Sequence, residues 1–147
     1  METKEKISNI ALATGMSIFF ICLNSAILNS VYNYGMELGI KGIPIKTIIS
    51  GLLIAPIFEE FIFRWIPLRL LRDSDILEGD RKWFVIAILG IIFGWVHGGY
   101  FNIYIQGVAG FFFGWVYIKN NNSYWSAVVT HFLYNFMIYI VFPLIVK

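Results

Sequence analysis

Apolar residues in this chain gather in long runs and leave the polar ones in short clusters. A helix that crosses a bilayer needs about 20 mostly apolar residues at about 1.5 Å rise each. Five runs approach that length: residues 7–31, 45–71, 83–99, 103–118 and 124–146. The third and fourth are short and almost directly joined, which predicts a tight helical hairpin. The pattern predicts an all-α fold, a polytopic transmembrane bundle of about five membrane helices in a single domain over 1–147. The first run follows Lys4 and Lys6 but is long for a signal-peptide core and is followed by no A-x-A cleavage site, so it reads as a retained anchor. Glycines recur at four-residue intervals in the hairpin (Gly90, Gly94 and Gly98, then Gly110 and Gly114), a spacing that lets helix backbones approach closely in lipid. The polar stretch 120–123 reads as a turn before a helix start.

Composition agrees with this pattern. The chain is 59% hydrophobic and 14% charged, against about a quarter charged in ordinary soluble domains. A net charge of +2 with no basic tract argues against a nucleic-acid partner. The one cysteine, Cys22, excludes an intrachain disulfide and reads as a small buried apolar residue. Lys4, Lys6, Arg69, Arg72, Arg81, Lys82 and Lys119 fall on one side if five helices alternate, while Lys41, Lys46 and Lys147 fall on the other. The bias of lysine and arginine toward cytoplasmic loops predicts a cytoplasmic N-terminus. Trp83, Tyr100, Tyr117, Tyr124 and Trp125 mark predicted helix ends, where amphipathic rings favour the membrane interface.

The informative residues are those that do not belong in hydrocarbon. Glu59, Glu60 and Arg64 lie in the second run, His97 in the third, and His131 with Asn135 in the fifth, while Glu37 and every aspartate fall in loops. Ionisable groups inside a membrane are costly and mark functional sites by default. Counted from their helix ends, Glu59 lies about 18 Å deep, His97 about 21 Å, His131 about 10 Å and Asn135 about 16 Å, so tilt alone can bring them together. Glu60 and Arg64 are spaced i,i+4 and can pair on one helix face, whereas Glu59 points about 100° away and stays free of that arginine. Pro56 removes a backbone donor just upstream and predicts a kink.

The motif inventory narrows the chemistry. No G-x-S-x-G marks a serine nucleophile, the aspartates are confined to one loop, and HExxH is missing. A glutamate with two histidines and no covalent nucleophile suits direct activation of water, with histidine and asparagine as donors to an oxyanion.

Glu59 to Arg64 reads EExxxR, Phe93 to His97 reads FxxxH, and His131 to Asn135 reads HxxxN. In order and spacing, over about residues 51–142, these motifs resemble the CAAX protease and bacteriocin-processing family, the type II CAAX prenyl endopeptidase-like intramembrane proteases. The resemblance implies a metal-independent glutamate protease in which Glu59 and His97 activate water. His131 and Asn135 would form the oxyanion site, Glu60 and Arg64 would pair to shape the pocket, and Phe93 would pack against them. Family members usually carry more helices around this core. Here one additional helix, about 7–31, precedes it, which leaves room for a homo-oligomer.

The expected substrate is a peptide or membrane protein hydrolysed at a peptide bond, with membrane lipids around it and no cofactor. An Ile-, Lys- and Asn-rich composition points to a bacterial cell membrane. Two other readings keep the same residues. One is a bacteriocin self-immunity or peptide-binding protein without catalysis. The other places zinc on Glu59, His97 and His131, since carboxylate and imidazole suit that ion.

Overall fold

The computed structural model describes residues 2–32 and 44–145; Glu37, Lys41, Val146 and Lys147 lie outside the described residues. Its elements are helical throughout: α1 (Thr3–Tyr32), α2 (45–70), α3 (Arg81–Val96), α4 (Tyr100–Lys119) and α5 (Tyr124–Val141), the last continued by the turn Phe142–Ile145. Three of them, α1, α4 and α5, are long and apolar enough to cross a membrane. Two elements fall short of the five expected spans for physical reasons. Helix α2 carries Glu59, Glu60 and Arg64 in its second half. Helix α3 has 16 residues, which rise only about 24 Å against a hydrocarbon core of about 30 Å. The chain is an integral membrane protein, and its surface fits one: Phe19, Phe58, Phe84, Ile88 and Trp125 all point outward.

Helix α2 is not a uniform α-helix. Wide π-helical turns at Ser50–Ile54 and Phe61–Trp65 interrupt it. A proline follows each, as the second residue of the next α-helical stretch: Pro56 after the first and Pro67 after the second. Pro143 stands in the same place after the wide turn Met137–Val141. An interior proline lacks the N–H that would bond the carbonyl four residues back, and its ring clashes with that carbonyl. In all three cases that carbonyl belongs to the π-helical stretch. The kink expected at Pro56 therefore takes the form of a widened turn before it. The fourth proline, Pro44, caps the start of α2.

The α3–α4 hairpin forms as its glycines predict. A Cβ on Gly90 would stand 2.7 Å from the Gly107 carbonyl oxygen, and one on Gly94 would stand 2.6 Å from that of Asn102. Gly98 departs from the expected stripe. Helix α3 ends at Val96, and Gly98 and Gly99 form the turn with φ of 140° and 81°, a region closed to most side chains. Cys22, expected inside, is exposed on the outer face of α1.

Helix α1 packs against the rest through Ala13, Ile21 and Leu28. Leu28 and Ile21 join Phe93, Ile105, Phe113 and Tyr134 in one apolar cluster, and Ala13 joins Leu68, Ile86 and Val116 in another. A buried asparagine fixes its end. Asn120 accepts from Asn9 at 2.9 Å and donates to the Lys6 carbonyl and the Ser126 hydroxyl. This brings the start of α1 and the turn after α4 to one end of the bundle, as the grouping of basic residues expects. At that turn Ser123 caps α5, its hydroxyl accepting from the Ser126 amide.

Candidate active site

The deepest layer is built on Glu60. The i,i+4 pairing holds, with Arg64 Nη1 donating to Glu60 Oε1 at 3.0 Å, both side chains essentially out of solvent. Burying two charges is tolerable only when each is paired and hydrogen-bonded, and further contacts supply this. Arg64 Nη2 donates to the Gly110 carbonyl of α4 at 2.8 Å. The guanidinium carbon lies 4.4 Å from the centre of the Phe93 ring, a cation–π arrangement. Gly110 has to be glycine, because a Cβ there would stand 2.6 Å from Arg64 Nη2 and 2.9 Å from Phe93. Glu60 Oε1 also accepts from His131 Nδ1 at 2.8 Å. That imidazole stacks on Phe113, ring centres 4.4 Å apart and planes 20° apart.

Glu59 stands one residue earlier and faces elsewhere, as the helix geometry predicts. Its Oε2 lies 3.4 Å from His97 Nε2 and 3.8 Å from His131 Nε2. The Glu59 and His97 side chains are 25% and 27% exposed, whereas Glu60 is wholly buried. The protein thus covers one carboxylate completely and leaves part of its neighbour uncovered.

The end of α3 explains how His97 is aimed. The last carbonyls of a helix have no partner within it. His97 sits at the C-cap of α3, where its Nδ1 lies 2.7 Å from the Phe93 carbonyl. A carbonyl only accepts, so Nδ1 carries the proton and donates. The Gly98–Gly99 turn then carries the chain away, and Asn102 donates to the His97 carbonyl at 3.2 Å. The same logic puts a proton on Nδ1 of His131, facing the Glu60 carboxylate. In both histidines the proximal nitrogen is anchored and Nε2 faces Glu59.

Glu59, His97 and His131, from the second, third and fifth predicted runs, are thus brought together. His97 lies just past its helix and not within it. Glu60 and Arg64 form the layer beneath. Phe93 is fully buried, edge-on to Phe63 and packed against both histidines. Asn135 lies one turn beyond His131, and its amide donates to the Gly51 carbonyl of α2 at 2.9 Å. The sequence reading missed the support given by Phe113 and Gly110. Phe113 carries no signal apart from being apolar, and Gly110 was visible only as one of a packing stripe. Among the described residues no group of three or more His, Cys, Asp or Glu side chains is arranged to hold a metal ion, the Glu59, His97 and His131 set included.

Comparison with known proteins gives one family. The model described as "Type II CAAX prenyl endopeptidase Rce1-like" matches residues 41–137, a stretch that covers every side chain of this site and leaves α1 outside. No curated protein and no solved structure is a match for this chain.

Proposed function

The chain belongs to the Rce1-like family of type II CAAX prenyl endopeptidases, and from that premise we propose that it is an intramembrane endopeptidase in which Glu59 and His97 activate water. The observation that carries this reading is the convergence of Glu59 Oε2 with Nε2 of His97 and His131, from three separate helical elements, with the Glu59 and His97 side chains left partly uncovered by protein.

Glu59 and His97 Nε2 are both acceptors, 3.4 Å apart. A water that donates one hydrogen to each is held with its lone pairs free. Its oxygen adds to the scissile carbonyl while Glu59 takes a proton, and the tetrahedral oxyanion forms. Collapse breaks the C–N bond, and the proton held on Glu59 passes to the leaving amine. The same group thus serves as base and then as acid. His131 would donate to the oxyanion through Nε2, a role that requires a proton on both ring nitrogens. Asn135 spends one amide hydrogen on Gly51 and has a second to offer. Donors held in place before charge develops are often the largest catalytic term. The substrate would be a peptide or membrane protein, reaching a chain that spans the bilayer with its N-terminus in the cytoplasm.

The test uses purified protein in lipid with lipidated and unlipidated peptides, and reads new termini by mass spectrometry. Glu59→Gln and His97→Ala should each lower turnover about 10²- to 10⁴-fold while the protein still inserts and folds. Undiminished cleavage by both variants would refute the mechanism.

A further inference from the structure

A cavity lies at the end of the bundle where the basic residues gather. It measures about 410 Å³ and is enclosed by the last turn of α2, the loop that follows, the start of α3 and the turn after α4. Arg69, Arg72 and Lys82 line it above a floor of Trp65, Leu68 and Tyr117. Asn121 and Asn122 add two side-chain amides at its rim, turned there by backbone φ of 59° and 56°.

Among the described residues no carboxylate forms an ion pair with the cations of this cavity. Asp73, Asp75, Glu78 and Asp80 belong to the same loop. Even so, the ion pairs among the described residues all belong to Arg64, His97 and His131, and none reaches Arg69, Arg72 or Lys82. Aromatic faces hold two of the cations instead: Arg69 over Trp65 at 5.1 Å and Lys82 over Trp83 at 5.2 Å. Three like charges around one hollow repel each other, and an anion seated between them removes that cost. The donor set favours phosphate. Guanidinium groups match phosphate oxygens in paired hydrogen bonds, and the amides of Asn121 and Asn122 can reach further oxygens. The position fits as well, since the indole rings of Trp65 and Trp83 belong at headgroup depth, where basic side chains attract anionic lipid.

We propose that this basin binds a phosphate-bearing anion, either the headgroup of an anionic phospholipid or a free phosphate at the membrane surface. The site is separate from the Glu59 centre and does not depend on its activity.

Lys82 is only half-buried, so its amine can report occupancy. The protein is placed in zwitterionic phosphatidylcholine nanodiscs, in nanodiscs containing phosphatidylglycerol, or in the zwitterionic discs with inorganic phosphate. Acylation of each lysine is then followed by mass spectrometry, with Lys4 as the internal reference. Protection of Lys82 by phosphatidylglycerol alone assigns the lipid headgroup, and protection by inorganic phosphate assigns a soluble phosphate. Equal labelling of Lys82 in all three settings overturns the proposal. Arg72→Gln should weaken the protecting ligand about fivefold, and Arg69→Gln with Arg72→Gln about 25-fold, at the cost per basic group typical of anionic membranes. Protection unchanged in the double variant would also overturn the proposal. The measurement on the unaltered chain stands even if the double variant does not fold.

Discussion

Glu59 and Glu60 are consecutive residues of α2 with the same side chain, and the fold gives them opposite surroundings. Glu60 is sealed in, with Arg64 and His131 on one oxygen and aromatic rings around the group. Glu59 has no such close partner; its nearest imidazole nitrogens stand at 3.4 and 3.8 Å, and a quarter of its side chain is open. A carboxylate that holds a structure together needs short, charged pairing, because an unpaired buried charge is costly. Glu60 has it on Oε1, while its Oε2 and Arg64 Nε are buried without a hydrogen-bond partner among the described residues. A carboxylate that works on water has to leave space for the water. On the proposed mechanism the pair separates these requirements over one peptide bond, and His131 touches Glu60 with one nitrogen and faces Glu59 with the other.

Four measurements would break or sharpen that contrast. The largest effect is expected for Glu59→Gln. Cleavage should fall about 10²- to 10⁴-fold with the melting temperature in detergent nearly unchanged; a large loss of stability would mean that Glu59 is structural too. Next comes Arg64→Ala, which leaves Glu60 buried without its cation. Breaking one side of a buried pair costs about 3–5 kcal/mol, read as a lowered unfolding midpoint, and little change would show that the layer beneath the site is not what holds it. Gly94→Ala tests the scaffold apart from the chemistry. The added methyl meets backbone of Asn102, Ile103 and Gly107 at 2.6–2.7 Å, so the hairpin must spread, at about 1–3 kcal/mol by analogy with overpacked cores. The smallest shift is expected for Asn135→Ala, about 1 kcal/mol for one lost hydrogen bond to Gly51. If Asn135 only braces α5 against α2, turnover should follow that modest loss; if it also donates to the oxyanion, turnover should drop well beyond it.

Much of the site was legible because membranes make polar residues conspicuous. Glu59, Glu60, Arg64, His97, His131 and Asn135 stand out in apolar runs for one reason: hydrocarbon cannot solvate them. Helical spacing then separated Glu59 from Glu60 and paired Glu60 with Arg64, since both follow from local geometry. The hairpin was legible from its glycines for the same local reason. The partners that complete the site were not. Phe113 under His131, Gly110 beneath Arg64 and Gly51 opposite Asn135 are apolar or small residues in a chain rich in both.

What the sequence determined by itself is which residues cannot face lipid, that the chain is helical and membrane-embedded, and which glutamate is bound to the arginine. These properties depend on composition and on contacts within one or two helical turns. Only the tertiary structure decided that His97 caps its helix and does not lie within it, that both histidines turn Nε2 toward Glu59, and that Arg69, Arg72 and Lys82 surround a hollow with no ion pair to a carboxylate among the described residues. Each of these depends on where separate helices stop and how they cross. That is settled by packing between distant segments, which spacing along the chain does not encode.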